Sequence, residues 1–139
     1  MRILLDTNVV VSALLWNGPP RRLLMMARDH DVMLLTSPPL LDELRDVLER
    51  RKFAARLQAA SLSPIDLVRG YAALAYSVRP DAVSGIAPDS DDDIVIGTAL
   101  GGRAALLVTG DHGLQSVGRV DTVRIVDTGN ALLLIGQEA

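Results

Sequence analysis

Cysteine is missing from all 139 positions, which excludes a disulfide scaffold, a thiolate zinc site and a cysteine nucleophile. Histidine is almost missing too. His30 and His112 stand alone, so a histidine-rich metal site is excluded. Any bound metal would have oxygen ligands, which points to Mg²⁺ or Mn²⁺. Aromatic residues make up only 3%, against 49% hydrophobic residues in all, so the core must be aliphatic, with the four Met filling gaps. No apolar run approaches the ~18 residues of a membrane-spanning helix, and no charged leader with a cleavage site opens the chain. These features lead us to expect a cytoplasmic protein with no membrane partner. The net charge of −3 argues against a surface that attracts nucleic acid as a whole, so any such binding must use a local basic patch.

What is present is an alternation. Ile3–Leu5 reads as a short apolar strand ending in Asp6, and a helix is expected from about Val9 to Trp16, stopped by "NGPP". Residues 20–29 fit a second helix and 32–37 a second strand. Ser37 is expected to cap a helix that begins at Pro38 and runs to about Arg51. Ser63 and Pro64 open another, to about Ser77. Residues 78–88 read as a loop, after which the acidic stretch opens a helix to about Gly101. "AALLVTG" and "TVRIVD" are strands, and a short terminal helix follows. Continuous apolar strands between amphipathic helices imply a mainly parallel sheet covered on both faces. The expected fold class is α/β, a three-layer α/β/α sandwich, as a single domain over 1–139.

Sites in such sheets form beyond the carboxyl ends of the strands. Asp6 and Asp111 each end an apolar strand and should share one edge. The stretch "APDSDDDIVIGTAL" adds four acids in five positions, Asp89, Asp91, Asp92 and Asp93. At about 100° per residue, Asp92 points along the face of Val95, Ile96, Ala99 and Leu100, while Asp93 lies about 90° round from its centre. Acids are favoured in a first helical turn by ~0.3–1 kcal/mol each, which accounts for Asp91 and Asp93 but not for a carboxylate on the apolar stripe. Asp89 either shares the side of Asp92 or caps the helix. On the helix from Pro38, Asp42 points away from the buried face. Glu43 flanks that face and could lean into a cleft.

Packing Asp6, Glu43, Asp92 and Asp111 together without a cation would set like charges against one another. With a cation they would suit phosphodiester hydrolysis. No Walker loop, GxGxxG or Ser–His–Asp set offers another chemistry. Aspartyl-phosphate hydrolases need a second Asp where Asn8 stands, and receiver domains need a late Lys, whereas Lys52 is the only Lys.

"LLDTNVVVSALLW", "SPPLLDELRDVLERRKF", "PDSDDDIVIGTAL" and "AALLVTGDHGL" together resemble, in order and spacing, the four motifs of the PIN-domain ribonucleases, especially the VapC-like toxin branch. The resemblance implies catalytic and metal-binding roles for Asp6, Glu43, Asp92 and Asp111, with Mg²⁺ or Mn²⁺ as cofactor. Asn8 and Thr109 become polar positions near the site, and Ser12 matches a small polar residue there. Asn8 has a second reading as a plain helix-start residue. Asp89 and Asp93 become supporting acids or helix caps. The resemblance also implies an RNA substrate, a cognate antitoxin and a homodimer. The cation clusters available to meet RNA are Arg21 with Arg22, and Arg50, Arg51 and Lys52 with Arg56. Each is otherwise a solvated helix end. One departure stands out: many relatives carry a further Asp where this chain has Gly113, which puts a second metal in doubt and keeps open a catalytically weak, PIN-like binding module.

Overall fold

The computed structural model describes residues 1–138, the side chain of Glu138 excepted. Six strands form one sheet in the order β3-β2-β1-β4-β6-β5, where β1 is Arg2–Leu5, β2 Met33–Thr36, β3 Tyr76–Ser77, β4 Leu106–Val108, β5 Arg119–Val120 and β6 Val123–Val126. All neighbours pair parallel except β5 with β6. The helices are α1 (Thr7–Leu15), α2 (Pro19–Arg28), α3 (Pro38–Leu48), α4 (Arg51–Ala59), α5 (Pro64–Leu74), α6 (Asp93–Gly101), α7 (His112–Val117) and α8 (Thr128–Glu138), with a 3₁₀ turn at Ser90–Asp92 before α6. Among the described residues, no helix is long and apolar enough to cross a membrane.

The pleat sends alternate side chains to opposite faces. Ile3, Leu5, Leu34, Leu106 and Val108 enter one core, beneath residues of α1 to α5 and α8 such as Val10, Leu23, Leu44, Phe53, Tyr71 and Ile135. Leu4, Leu35, Leu107, Val123 and Ile125 enter the other, against Leu40, Val95, Ile96, Ala99 and Leu114. Strands buried on both sides must be apolar where they are covered, as Ile3–Leu5, Leu34, Leu35 and Leu106–Val108 are. The result is the expected α/β/α sandwich.

Four local expectations change. The helix from Pro38 stops at Leu48 rather than near Arg51, and α4 follows as a separate helix. At about 100° per residue, an unbroken helix would carry Phe53 about 180° round from Leu44 and away from the core. The extended backbone of Arg50 (ψ 143) resets the phase, and Phe53 and Leu57 are buried. The helix from Ser63 ends at Leu74 instead of Ser77, because Tyr76 and Ser77 pair with Leu35 and Thr36 at the sheet edge. The β5–β6 hairpin, absent from the sequence reading, turns at Asp121 (φ +51), and Gly118 at φ +76 ends α7 just before it.

Ser37 occupies the expected cap position with extended backbone, but its hydroxyl does not cap α3. It meets the Thr98 hydroxyl at 2.9 Å, and Thr98 donates to the Ile94 carbonyl at 2.8 Å. Both residues are fully buried, so this link joins α3 to α6 across the sheet edge. Residues 79–81 strap across α6, where the Asp81 N–H donates to the Gly97 carbonyl at 2.9 Å. A Cβ on Gly97 or Gly101 would collide with the carbonyl oxygens of Asp81 and Arg79. Backbone can approach this closely only where a side chain is missing.

Candidate metal centre

Strands β1 and β4 lie side by side, with Leu5 opposite Val108, so the residues that follow them emerge at one edge. Asp6 is both strand end and helix start. Its Oδ1 accepts from the Thr7 N–H at 2.8 Å, which starts α1 two residues before the expected Val9. Its Oδ2 accepts from the Thr109 hydroxyl at 2.8 Å, and that hydroxyl accepts from the Asp111 N–H at 3.0 Å. Thr109 is fully buried, and its carbonyl accepts from Gln115 Nε2 at 2.8 Å. Asp111 Oδ2 accepts from the Leu114 N–H at 2.9 Å and caps α7. One buried hydroxyl thus sets the spacing of two acids that are distant in the chain. Gln115 was not singled out by the sequence. It holds the backbone of Thr109 through a side-chain amide whose partner lies six residues away, and no motif marks it.

Asp6, Glu43, Asp89, Asp91, Asp92 and Asp111 line a single cavity of about 300 Å³, together with Thr7, Asn8, Pro88 and Gly113. No Lys or Arg lines it. The four principal acids of the sequence reading are therefore brought together, and Asp89 and Asn8 join them. Asp89 also does its other expected duty, accepting from the Asp91 N–H at 3.0 Å. Asp93 does not line the cavity. One of its carboxylate oxygens is buried with no hydrogen-bond partner. Asp91, read as a helix-start acid, takes a place in the wall instead. The 3₁₀ turn is the reason: with three residues per turn rather than 3.6, Asp89 and Asp92 fall in one column, and the phase computed for an α-helix no longer holds.

The remaining positions lie apart. Ser12 lines a neighbouring cavity of about 450 Å³, which also takes in Asn8, Thr109 and Asp127. His112 is exposed and lines neither. Gly113 faces the acids, and a Cβ there would stand 3.2 Å from Asp111 Oδ2. Arg21 and Arg22 are exposed on α2, and Arg50, Arg51 and Lys52 on and before α4.

The electrostatics are those of anions short of a counter-charge. Burial raises the pKa of Asp6, against the hydrogen bonds from Thr109 and Thr7, and the Asp111 charge adds to the rise. Partial burial also raises Glu43; the Thr7 hydroxyl opposes this, Asp6 and Asp91 reinforce it, and Arg50 works against it. Asp92 is pushed up to about 6, by burial first and then by Asp111, Asp6, Asp89 and Asp91. A bound divalent cation would reverse each of these effects. Among the described residues, no three acids stand close enough to grip one ion directly. The donor set therefore fits an ion held by one or two carboxylates with water completing the shell, the usual manner of Mg²⁺.

No curated protein sequence matches the chain. Residues 2–113 match the PIN domain. With most of its length in that match, and with the fold described above, the chain belongs to the PIN domain family, whose members are generally nucleases.

Proposed function

We propose that this chain is a Mg²⁺- or Mn²⁺-dependent endoribonuclease, acting as the toxin of a toxin–antitoxin pair. The observation that carries the reading is the cavity at the carboxyl edge of the sheet, walled by six carboxylates with no cationic side chain among its lining residues. One or two of Asp6, Asp92 and Asp111 would hold the ion directly, and the other acids of the cavity would meet it through water. A bound metal supplies an attacking water of lowered pKa and neutralises charge on the scissile phosphate. The chain's own residues do the positioning. Thr109 fixes Asp6 against the pull of its neighbours, and its link to the Asp111 N–H keeps the two carboxylates in register. Asp92, pushed up to about 6 by burial and by its acidic neighbours, is a carboxylate that a bound cation would relieve. The antitoxin partner and the homodimer rest on the motif resemblance.

A second reading, a catalytically weak PIN-like module that binds protein or RNA, has one observation in its favour. Gly113 faces Asp111 in the cavity and offers no carboxylate of its own.

Incubating mixed-sequence RNA with the protein in Mg²⁺, Mn²⁺ or EDTA separates the two. The nuclease reading expects cutting that needs the metal and falls at least ~100-fold in Asp6→Asn and Asp92→Asn, since even the outer partners of metal ligands are worth ~10–100-fold. Intact RNA in every metal, together with no Mn²⁺ uptake by calorimetry, would sink it in favour of the binding module.

A further inference from the structure

Trp16, the only tryptophan, follows the end of α1 and keeps 44% of its surface in solvent. It is nonetheless held in place. Its ring packs at 59° against Phe53, with centroids 6.0 Å apart, and the Arg56 guanidinium lies over it at 5.9 Å. Arg56 is itself fixed, donating through Nε and Nη2 to the Leu15 carbonyl at 3.0 and 2.6 Å. Lys52 lies 5.0 Å over the Phe53 ring. A large aromatic face that is both oriented and wet gains little for the fold, and such faces are typical of binding surfaces.

The charges around it break a local rule. Arg50, Arg51 and Lys52 occupy the cap and first two positions of α4, where the positive end of the helix disfavours cations by ~0.3–1 kcal/mol each. No acid occurs in α4, and no side chain caps it. Among the described residues the ion pairs are Arg28–Asp29 and Arg45–Glu49, so the cations of α4 are not spent on partners there. A chain of net charge −3 thus concentrates exposed positive charge beside its one exposed indole. Local rules broken without gain to the fold are expected where function requires them.

We propose that Trp16, framed by Phe53 and Arg56, is a stacking platform for a base of single-stranded RNA whose phosphates pass Arg50, Arg51 and Lys52 toward the acidic cavity. Stacking on an aromatic face and tracking of the backbone by cations are the two halves of single-strand recognition. The path is short. The nine residues of α1 separate Asp6 from Trp16 by ~14 Å, a few nucleotides of strand. This inference rests on the ribonuclease reading for the identity of its ligand, but binding can be measured without cleavage.

Because Trp16 is the only tryptophan, its fluorescence reports the platform directly. Titration of the full chain with a mixed-sequence single-stranded RNA oligomer in EDTA is expected to quench that emission saturably. By anisotropy of labelled RNA, Trp16→Leu should bind about 5- to 100-fold more weakly, the range of one stacked base, while Trp16→Phe stays within about threefold of wild type. RNA binding that leaves the emission unchanged overturns the inference. So does an equal loss in the Leu and Phe variants, which would mark a packing role. An emission that shifts with protein concentration alone, without RNA, would assign the surface to a second copy of the chain and overturn it as well. Cutting in Mn²⁺ with a silent Trp16 would leave the nuclease reading standing and this one fallen. Quenching without any cutting would do the reverse.

Discussion

The acidic cavity and the cationic surface at Trp16 lie at opposite ends of α1, and they are built by opposite means. The cavity draws Asp6, Glu43, Asp92 and Asp111 from four separate segments, and their mutual repulsion is held in check by hydrogen bonds to Thr109, Thr7 and Leu114. The Trp16 surface comes mainly from α4 and carries its like charges exposed, where water screens them. Like charge crowded round one cavity needs a counter-ion to relax, whereas like charge spread along a wet helix can wait for a polyanion. The difference teaches that one chain of small net charge can keep two regions of opposite sign apart by crowding one into a cavity and spreading the other along a helix surface.

The comparison breaks most visibly at Thr109. Thr109→Val keeps the shape but removes the hydroxyl that joins Asp6 Oδ2 to the Asp111 N–H. Loss of a group that orients metal-binding carboxylates typically costs 10–100-fold, so the Mn²⁺ concentration needed for half-maximal cutting should rise by ~10-fold or more. RNA binding in EDTA should be unchanged. A parallel loss of RNA binding would mean that the two regions are not independent.

A smaller effect sharpens the contrast in pH. The pKa of Asp92 is raised to about 6, so the folded protein holds that proton to a higher pH than the unfolded chain does. Stability must then fall as pH climbs from about 4 to about 6 and stay lower above it. Without metal at pH 7.5, Asp92→Asn should therefore be the more stable protein, by on the order of 1 kcal/mol after allowance for solvent screening. That corresponds to ~2–4 °C in thermal melting at this size. At pH 4 the gap should close. Saturating Mn²⁺ should raise the melting temperature of the wild type more than that of the variant.

The smallest change is expected at Lys52, on the exposed side of the comparison. Lys52→Glu places an acid where the helix end favours one, so α4 should gain about 0.5 kcal/mol. The same variant should bind RNA more weakly, and the slope of log affinity against log salt should shrink by about 0.7 or more. A variant that gains stability and keeps its RNA affinity would leave the cations of α4 without a role.

How far these regions can be read from the chain differs between them. Asp6 and Asp111 were visible because each ends an apolar run, and a parallel sheet places such ends along one edge. Asp92 was visible because it shares a stripe with Val95, Ile96 and Ala99. The exchange of Asp93 for Asp91 in the wall was not visible, because the turn there tightens to a 3₁₀ geometry that helical phase does not anticipate. The Trp16 surface was hidden for another reason. Its partners Phe53 and Arg56 sit on α4, a helix to which the sequence reading assigned no element, and the two aromatics meet only after the chain turns at Arg50.

What the sequence determined by itself is the alternation of buried strands and amphipathic helices, together with the acids at the strand ends. Those features depend on periodicity and on near neighbours, which the order of residues contains. Only the tertiary structure decided that Ser37 spends its hydroxyl on Thr98 rather than on capping α3, that Tyr76 and Ser77 leave a helix to extend the sheet, and that Thr109 ties Asp6 to Asp111. Each of those choices is a contest between a local bond and one made to a residue far along the chain. Such a contest is settled by which partner packing brings within reach.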